Sequence, residues 1–260
     1  MLDNSDFEIL LKATLRIYQD SIRGALRGFR LNWYWAFIPV VYLLANMLLF
    51  SILPGGIVSG FILGIFFTFC ISNYLALIES TVNGEKIKSL QYLKKDTIEI
   101  FLNLINVLFL LFIVSLFQSY LPPQLALAVN LLIIVCFNPI LEVCYLSSSS
   151  GMESFGRALN FVKENTIEWF FPMFLLALPL IISDWSALLL QLVKGDPVQA
   201  TYRFITELIV FLVGGQIPLL ISFAILLILL FIFMVFRGLL FKKLNGSSRR
   251  KRIYQYRFEG

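Results

Sequence analysis

Long apolar runs dominate this chain and restrict its fold more than any other feature. Each run approaches the roughly 20 residues that an α-helix needs to cross about 30 Å of hydrocarbon. The sequence is 59% hydrophobic and 14% charged, whereas a typical soluble domain is about 25% charged. We therefore predict an all-α membrane bundle of six transmembrane helices, forming one membrane domain over residues 1–245. The predicted spans cover 33–53, 56–78, 98–121, 123–146, 167–182 and 216–241.

Lys and Arg are distributed unevenly between the two sides of such a bundle. All of the 21 Lys and Arg residues except Lys194 and Arg203 fall in segments that six spans place on one side. Short segments rich in Lys and Arg stay in the cytoplasm. The distribution predicts a multi-pass protein of the cell membrane with both termini cytoplasmic. The basic segments are 1–31, 84–96, 151–166 and 237–260.

Segments beside the spans carry apolar residues at helical spacing. In the clearest, the residues that recur at steps of three and four are Leu11, Leu15, Tyr18, Ile22, Leu26 and Phe29. A helix with one apolar stripe and neighbouring Lys or Arg residues lies in the membrane interface, with the stripe facing the lipid, or packs onto the adjacent spans. The sequence leaves both placements open. We predict interfacial helices over 7–30, 85–96, 151–166 and 199–213.

Two of these segments resemble each other. Residues 90–99 align without gaps against 159–168, and the match ends in a shared Thr-Ile-Glu. The alignment predicts a unit of one interfacial helix and one hairpin of two spans, repeated three times at a period of about 65–70 residues. The alternative is that helices of similar composition align by chance.

The chain contains no His, and this absence excludes many kinds of chemistry. Ser-His-Asp hydrolysis, haem ligation by His and the common zinc sites all require imidazole. No Gly-rich phosphate-binding motif occurs, and the three cysteines form no Cys-x-x-Cys pair. We expect no metal site, no cofactor and no enzymatic activity.

Asn side chains inside the apolar runs are the main candidates for a polar site in the membrane. Such groups are costly in lipid unless they are hydrogen-bonded, so they mark either function or contacts between helices. Asn138, Pro139 and Glu142 form the best candidate, because proline frees a backbone carbonyl and the carboxylate offers a ligand for a cation or a lipid amine. Asn130 and Asn106 are the other candidates. The alternative is a kinked helix end whose Glu142 faces the interface.

The C-terminal tail, residues 246–260, is strongly basic and continues a basic end of the last span. Clusters of this kind next to a span bind anionic lipid headgroups and set topology. We expect the lipid bilayer, with its anionic headgroups, as the partner of this region, and no nucleic acid. The residues expected to contact headgroups are Lys242, Lys243, Arg249, Arg250, Lys251 and Arg252.

Two stretches of the C-terminal half resemble a known family. They are 138–172, from Asn-Pro-Ile-Leu-Glu-Val to an aromatic-Pro sequence, and 231–241, Phe-Ile-Phe-Met-Val-Phe-Arg-Gly-Leu-Leu-Phe. Both are similar to the YciC-like bacterial membrane proteins and to the membrane domain of some glycerophosphodiester phosphodiesterases. The resemblance implies a six-span bundle without an established activity, and this chain lacks the catalytic domain of those phosphodiesterases.

Three functional hypotheses follow. The first is a non-enzymatic protein of the cell envelope with a structural, assembly or partner-binding role. The second is a small transporter or lipid-handling protein with a polar path between the spans, lined by Asn106, Asn130 and Asn138. The third is a membrane-embedded enzyme, for which the sequence shows no catalytic constellation.

Overall fold

A computed structural model describes residues 4–88, 96–118, 120–147, 151–183, 219–246 and 254 of the chain. These residues are almost entirely helical, and the described part contains no β-strand. A 3-10 segment, Trp33–Phe37, joins the first two helices. The helices are α1 Asn4–Asn32, α2 Ile38–Ile52, α3 Ile57–Val82, α4 Asp96–Gln118, α5 Pro123–Cys136, α6 Ile140–Leu146, α7 Met152–Ser183 and α8 Leu219–Asn245.

The predicted all-α membrane bundle is confirmed. Within the described residues, five helical stretches are long and apolar enough to cross a membrane: Glu8–Ile52, Ile57–Val82, Thr97–Gln118, Pro123–Leu146 and Phe223–Asn245. The predicted fifth span, 167–182, lies inside α7. The predicted interfacial helix at 199–213 lies outside the described residues.

Pro and Gly lie at the turns between spans. The α2–α3 connection contains Pro54, Gly55 and Gly56, and Gly56 has a φ of 133°, which side chains with a Cβ rarely adopt. Pro123 begins α5, where the missing N–H costs no helical hydrogen bond. The first of these turns joins α2 and α3, which pack against each other.

Two features differ from the prediction. Residues 85–88 are not helical, and α4 begins at Asp96. The predicted interfacial helix 85–96 is therefore wrong for residues 85–88. The predicted fourth span is broken between α5 and α6, because Pro139 interrupts the helix. The predicted helix 151–166 and the predicted fifth span both lie in α7, and they are two helical segments that meet at a kink at Asn165 (φ −129°, ψ 26°).

The aligned segments of the predicted repeat share some features and differ in others. Ile98 and Ile167 are both exposed, whereas Glu168 is buried and its counterpart Glu99 is exposed. Much of the first segment lies outside the described residues. The repeat therefore stays a prediction.

Helix α1 packs lengthwise against α8 through small side chains. A Cβ on Gly24 would lie 2.7 Å from Leu239 Cδ1, so the two backbones approach closely. As α1 advances, its contacts move backward along α8, so the helices run antiparallel. Successive contacts join Asp20 to Lys243, Gly24 to Leu239, Gly28 to Val235 and Phe29 to Phe231. Of the two placements predicted for 7–30, packing onto a span is observed for residues 20–29.

The packed core is concentrated at the end of the bundle where residues 20–29 of α1 lie against residues 231–243 of α8. We call this end the basic end. There, buried aromatic and aliphatic side chains of α3, α6, α7 and α8 meet, including Trp169, Phe231 and Phe241. In contrast, α2 and α5 contain no buried residue, and the first turns of α3 are exposed. In a membrane protein, lipid covers exposed apolar surface of this kind. Tight packing between the helices is therefore found mainly at the basic end.

Candidate functional site

The centre of the candidate site is a buried ion pair between α6 and α8. Arg237 Nε donates to Glu142 Oε1 at 2.7 Å, and Nη2 donates to Oε2 at 2.9 Å. The Glu142 side chain is 0% exposed and that of Arg237 is 13% exposed. This two-pronged geometry is among the strongest between side chains, and its two charges cancel.

The break in the fourth span supplies the third acceptor of this site. Pro139 leaves the backbone between α5 and α6 out of the helical hydrogen-bond pattern, and Arg237 Nη2 donates to the Asn138 carbonyl oxygen at 2.9 Å. The Asn138 side chain accepts from Trp169 Nε1 of α7 at 2.9 Å. Residues of three helices, α6, α7 and α8, therefore converge on one turn.

Aromatic rings enclose the guanidinium. The Arg237 Cζ atom lies 5.1 Å from the centroid of the Trp169 ring and 5.8 Å from that of Phe233. Trp169 in turn packs edge-on against Phe161, with centroids 5.1 Å apart. Cation–π contacts are strongest when they are shielded from water, as here. The rings exclude water and hold the guanidinium against Glu142.

This arrangement corrects one prediction about Glu142. The carboxylate does not face the interface, because it is fully buried and directed into the bundle. The carboxylate pairs with a cation of the protein itself, Arg237. Sequence reasoning had assigned Arg237 to the basic terminal segment. A lone Arg between apolar residues on both sides is the signal that points to a buried partner.

The other candidate residues lie apart from this site. Asn106 is exposed, and its Nδ2 lies 4.0 Å from the place that a Cβ on Gly151 would occupy. Asn130 is half-buried on α5. No described hydrogen bond joins either side chain to Asn138 or Glu142. The structure therefore brings Asn138 and Glu142 together at one site, whereas Asn106 and Asn130 lie elsewhere.

A second polar centre, which the sequence reasoning missed, lies at the end of α1. Asn32 is fully buried and bonds to the segment after α3: its Nδ2 donates to the Glu85 carbonyl at 2.9 Å, and its Oδ1 accepts from the Ile87 N–H at 3.1 Å. Its Nδ2 also donates to Thr81 Oγ1 at 3.2 Å. The non-helical residues 85–88 are thus held by one amide.

We expect Asn32→Ala to release residues 85–88. The substitution leaves the Ile87 N–H and the Glu85 carbonyl without their partner, at a cost of about 1–3 kcal/mol in the free energy of unfolding. Trypsin should then cleave the folded protein faster after Lys86 and Lys88, which are exposed.

The matched control is Asn83→Ala, since Asn83 is exposed and accepts from Lys242 Nζ at 3.0 Å. Limited proteolysis followed by mass spectrometry measures both variants. Equal cleavage rates for Asn32→Ala and Asn83→Ala would contradict a holding role for Asn32.

A third amide, Asn73, joins the first two spans and α4. The Tyr42 hydroxyl donates to Asn73 Oδ1, and Asn73 Nδ2 donates to Thr97 Oγ1 at 3.5 Å. Polar side chains between membrane helices commonly satisfy one another in this way. The described amides Asn32, Asn73 and Asn138 therefore all connect separate segments of the bundle.

The predicted headgroup contacts are only partly described. Lys242 is exposed at the last turn of α8, and Lys243 Nζ lies 3.8 Å from Asp20 Oδ2 of α1. The tail residues Arg249, Arg250, Lys251 and Arg252 lie outside the described residues. Over the described ranges, no group of three or more Cys, Asp or Glu side chains is placed to hold a metal ion.

Comparison of the chain with family models, with curated proteins and with solved structures finds no match. The resemblance to YciC-like proteins therefore stays a prediction.

Proposed function

We propose that this membrane protein is a non-enzymatic component of the cell envelope, with a structural, assembly or partner-binding role and its basic end in the cytoplasm. The observation that carries the proposal is the closed ion pair of Glu142 and Arg237. Each charge neutralises the other, and aromatic rings shield the guanidinium. The groups most suited to chemistry or to ligand binding hold helices together instead.

The distribution of the remaining charges supports the orientation. Arg237 is buried in its ion pair, so it no longer counts as a surface charge. The exposed cations of α1, of residues 85–88 and of the last turn of α8 remain on one end of the bundle. Exposed Lys and Arg next to spans favour the cytoplasmic side.

Reporter fusions test the orientation. Fusions after Gly260 and after Gly84 should both report a cytoplasmic location, because six spans place these positions on one side. A fusion in the predicted outer connection at Lys194 is the control and should report the opposite side. An external signal from the Gly260 or the Gly84 fusion would refute the proposed orientation.

A cellular assay tests the non-enzymatic role. In a strain without the gene, the double variant Glu142→Leu/Arg237→Met should correct any growth or envelope-stress defect. The reason is that an apolar pair of similar volume replaces a buried ion pair at little cost in stability. If the double variant is stable and inserted but does not correct the defect, the two charges take part in chemistry or transport. The transporter hypothesis would be favoured if proteoliposomes with the wild-type protein took up a solute and if Asn106→Leu or Asn130→Leu abolished this uptake.

A further inference from the structure

Helix α1 has three faces, and only one of them packs against the rest of the described protein. The packed face is formed mainly by small or polar buried residues, and Tyr18 and Phe29 pack at its border with the apolar face. The second face is apolar and exposed, and the third is basic and exposed. The packed face comprises Thr14, Ser21, Ala25, Gly28 and Asn32; the apolar face Leu11, Leu15, Ile22 and Leu26; and the basic face Arg16, Arg23, Arg27 and Arg30.

Within the part of the chain that the structure describes, the basic face is not neutralised by acidic side chains. Among the described residues, none of its four arginines has an ion-pair or hydrogen-bond partner. The neighbouring acids are used elsewhere, since Glu8 pairs with Lys12 at 2.6 Å and Asp20 lies 3.8 Å from Lys243. The face therefore presents an uncompensated positive charge.

The apolar face leads directly into the lipid-facing surface of the first span. Trp33 and Tyr34 are exposed just after α1, and Trp and Tyr in such positions lie at the headgroup level. At about 1.5 Å per helical residue, Arg30 and Arg27 lie within roughly 5–9 Å of Trp33 along the helix, and Arg23 within roughly 15 Å. The three arginines therefore lie within about three helical turns of the exposed aromatic residues.

We propose that Arg23, Arg27 and Arg30 bind the phosphate groups of anionic phospholipids in the leaflet next to the basic end, while acyl chains of the same lipids cover Ile22 and Leu26. The proposal rests on the proposed function, in which the basic end faces the cytoplasm. Guanidinium groups bind phosphate oxygens in two-pronged geometry, and the adjacent apolar face suits the acyl chain. Packing against α8 already holds the helix that carries the arginines in place, so the protein loses little conformational entropy when a lipid binds.

Titration of the delipidated full chain in nonionic detergent with phosphatidylglycerol, followed by native mass spectrometry, tests this binding. The variant Arg23→Gln/Arg27→Gln/Arg30→Gln should bind the first phosphatidylglycerol about a hundredfold more weakly than the wild type, since each arginine near a lipid surface contributes about fivefold. Binding of phosphatidylcholine should be much weaker in the wild type and unchanged in the variant.

The matched control removes three exposed cations elsewhere at the basic end. The variant Lys88→Gln/Arg157→Gln/Lys163→Gln has the same net charge, and it should keep the affinity of the wild type. An equal loss in the two triple variants, or no loss in the α1 variant, would overturn the proposal. Displacement of the lipid by millimolar inorganic phosphate would also overturn it, because the site would then bind free anions.

The acyl-chain contact has its own test. The variant Ile22→Ser/Leu26→Ser should bind long-chain phosphatidylglycerol more weakly than the wild type, because it removes the apolar contact with the acyl chain. Its affinity for short-chain phosphatidylglycerol should be unchanged. Equal binding of the long-chain lipid by this variant and the wild type would refute the contact. The reporter fusions separate the two proposals: an external basic end with intact lipid selectivity refutes only the orientation, whereas a cytoplasmic basic end without selectivity refutes only the lipid site.

Discussion

Glu142→Leu should lower the free energy of unfolding by about 3–5 kcal/mol, because it leaves the Arg237 guanidinium buried without a counter-ion. Arg237→Met should also lower it, since it leaves the Glu142 carboxylate buried without a counter-ion. The double variant Glu142→Leu/Arg237→Met should regain most of the lost stability. Unfolding of the four proteins in mixed micelles measures the coupling of the two side chains.

The exposed pair of Glu153 and Arg157 provides the matched control. Arg157 Nη2 lies 2.7 Å from Glu153 Oε1, the same closest distance as in the buried pair, but the two side chains are 45% and 56% exposed. Glu153→Leu should therefore change the stability by less than about 1 kcal/mol. Equal losses for Glu142→Leu and Glu153→Leu would show that burial of the Glu142–Arg237 pair does not matter.

Gly238→Val should destabilise the basic end by about 3 kcal/mol or more. A Cβ at Gly238 would lie 2.6 Å from the Tyr145 hydroxyl and 2.7 Å from Val82 Cγ2, so α6 and α3 both crowd this position. The Tyr145 ring is buried and Val82 is stiff, so neither can move cheaply. Thermal unfolding in detergent should show a clearly lower midpoint.

Gly64→Val is the control, because Gly64 lies on α3 with no atom within 4 Å of the added Cβ. It should be close to neutral or slightly stabilising, since Val has a higher helix propensity than Gly. Replacing Val82 by Ala should recover part of the loss in Gly238→Val. A midpoint for Gly238→Val equal to that of Gly64→Val would disprove the tight approach of α3, α6 and α8.

The candidate site was only half predictable from its residues. Asn138, Pro139 and Glu142 are close in the sequence, so their combination was visible as a kinked helix end with a carboxylate. Arg237 is 95 residues from Glu142, and a charge count treats it like the other basic residues of its segment. Hydropathy shows that a buried charge needs a partner, but only the packing of α6 against α8 identifies that partner.

The surface of α1 shows a similar division. Its periodicity predicted a helix with an apolar stripe, and that stripe was expected to lie on lipid or on the spans. In the structure Tyr18 and Phe29 of that stripe pack against α7 and α8, whereas the close approach of α1 to α8 is made at the small residues Gly24 and Gly28. Small residues carry little hydropathy signal, so their role becomes visible only once the neighbouring helix is placed.

The apolar runs were enough to predict that the chain folds in lipid, that it is helical and roughly where the spans begin and end. Long apolar runs are stable only in lipid, and in lipid the backbone must satisfy its own hydrogen bonds as helices. Those constraints act within one segment, so they can be read along the chain. The packing of the bundle was needed to show which helices touch, that Glu142 pairs with Arg237, and that α1 turns its small residues toward α8. Contacts of this kind depend on shape and charge at positions far apart in the chain, and folding brings those positions together.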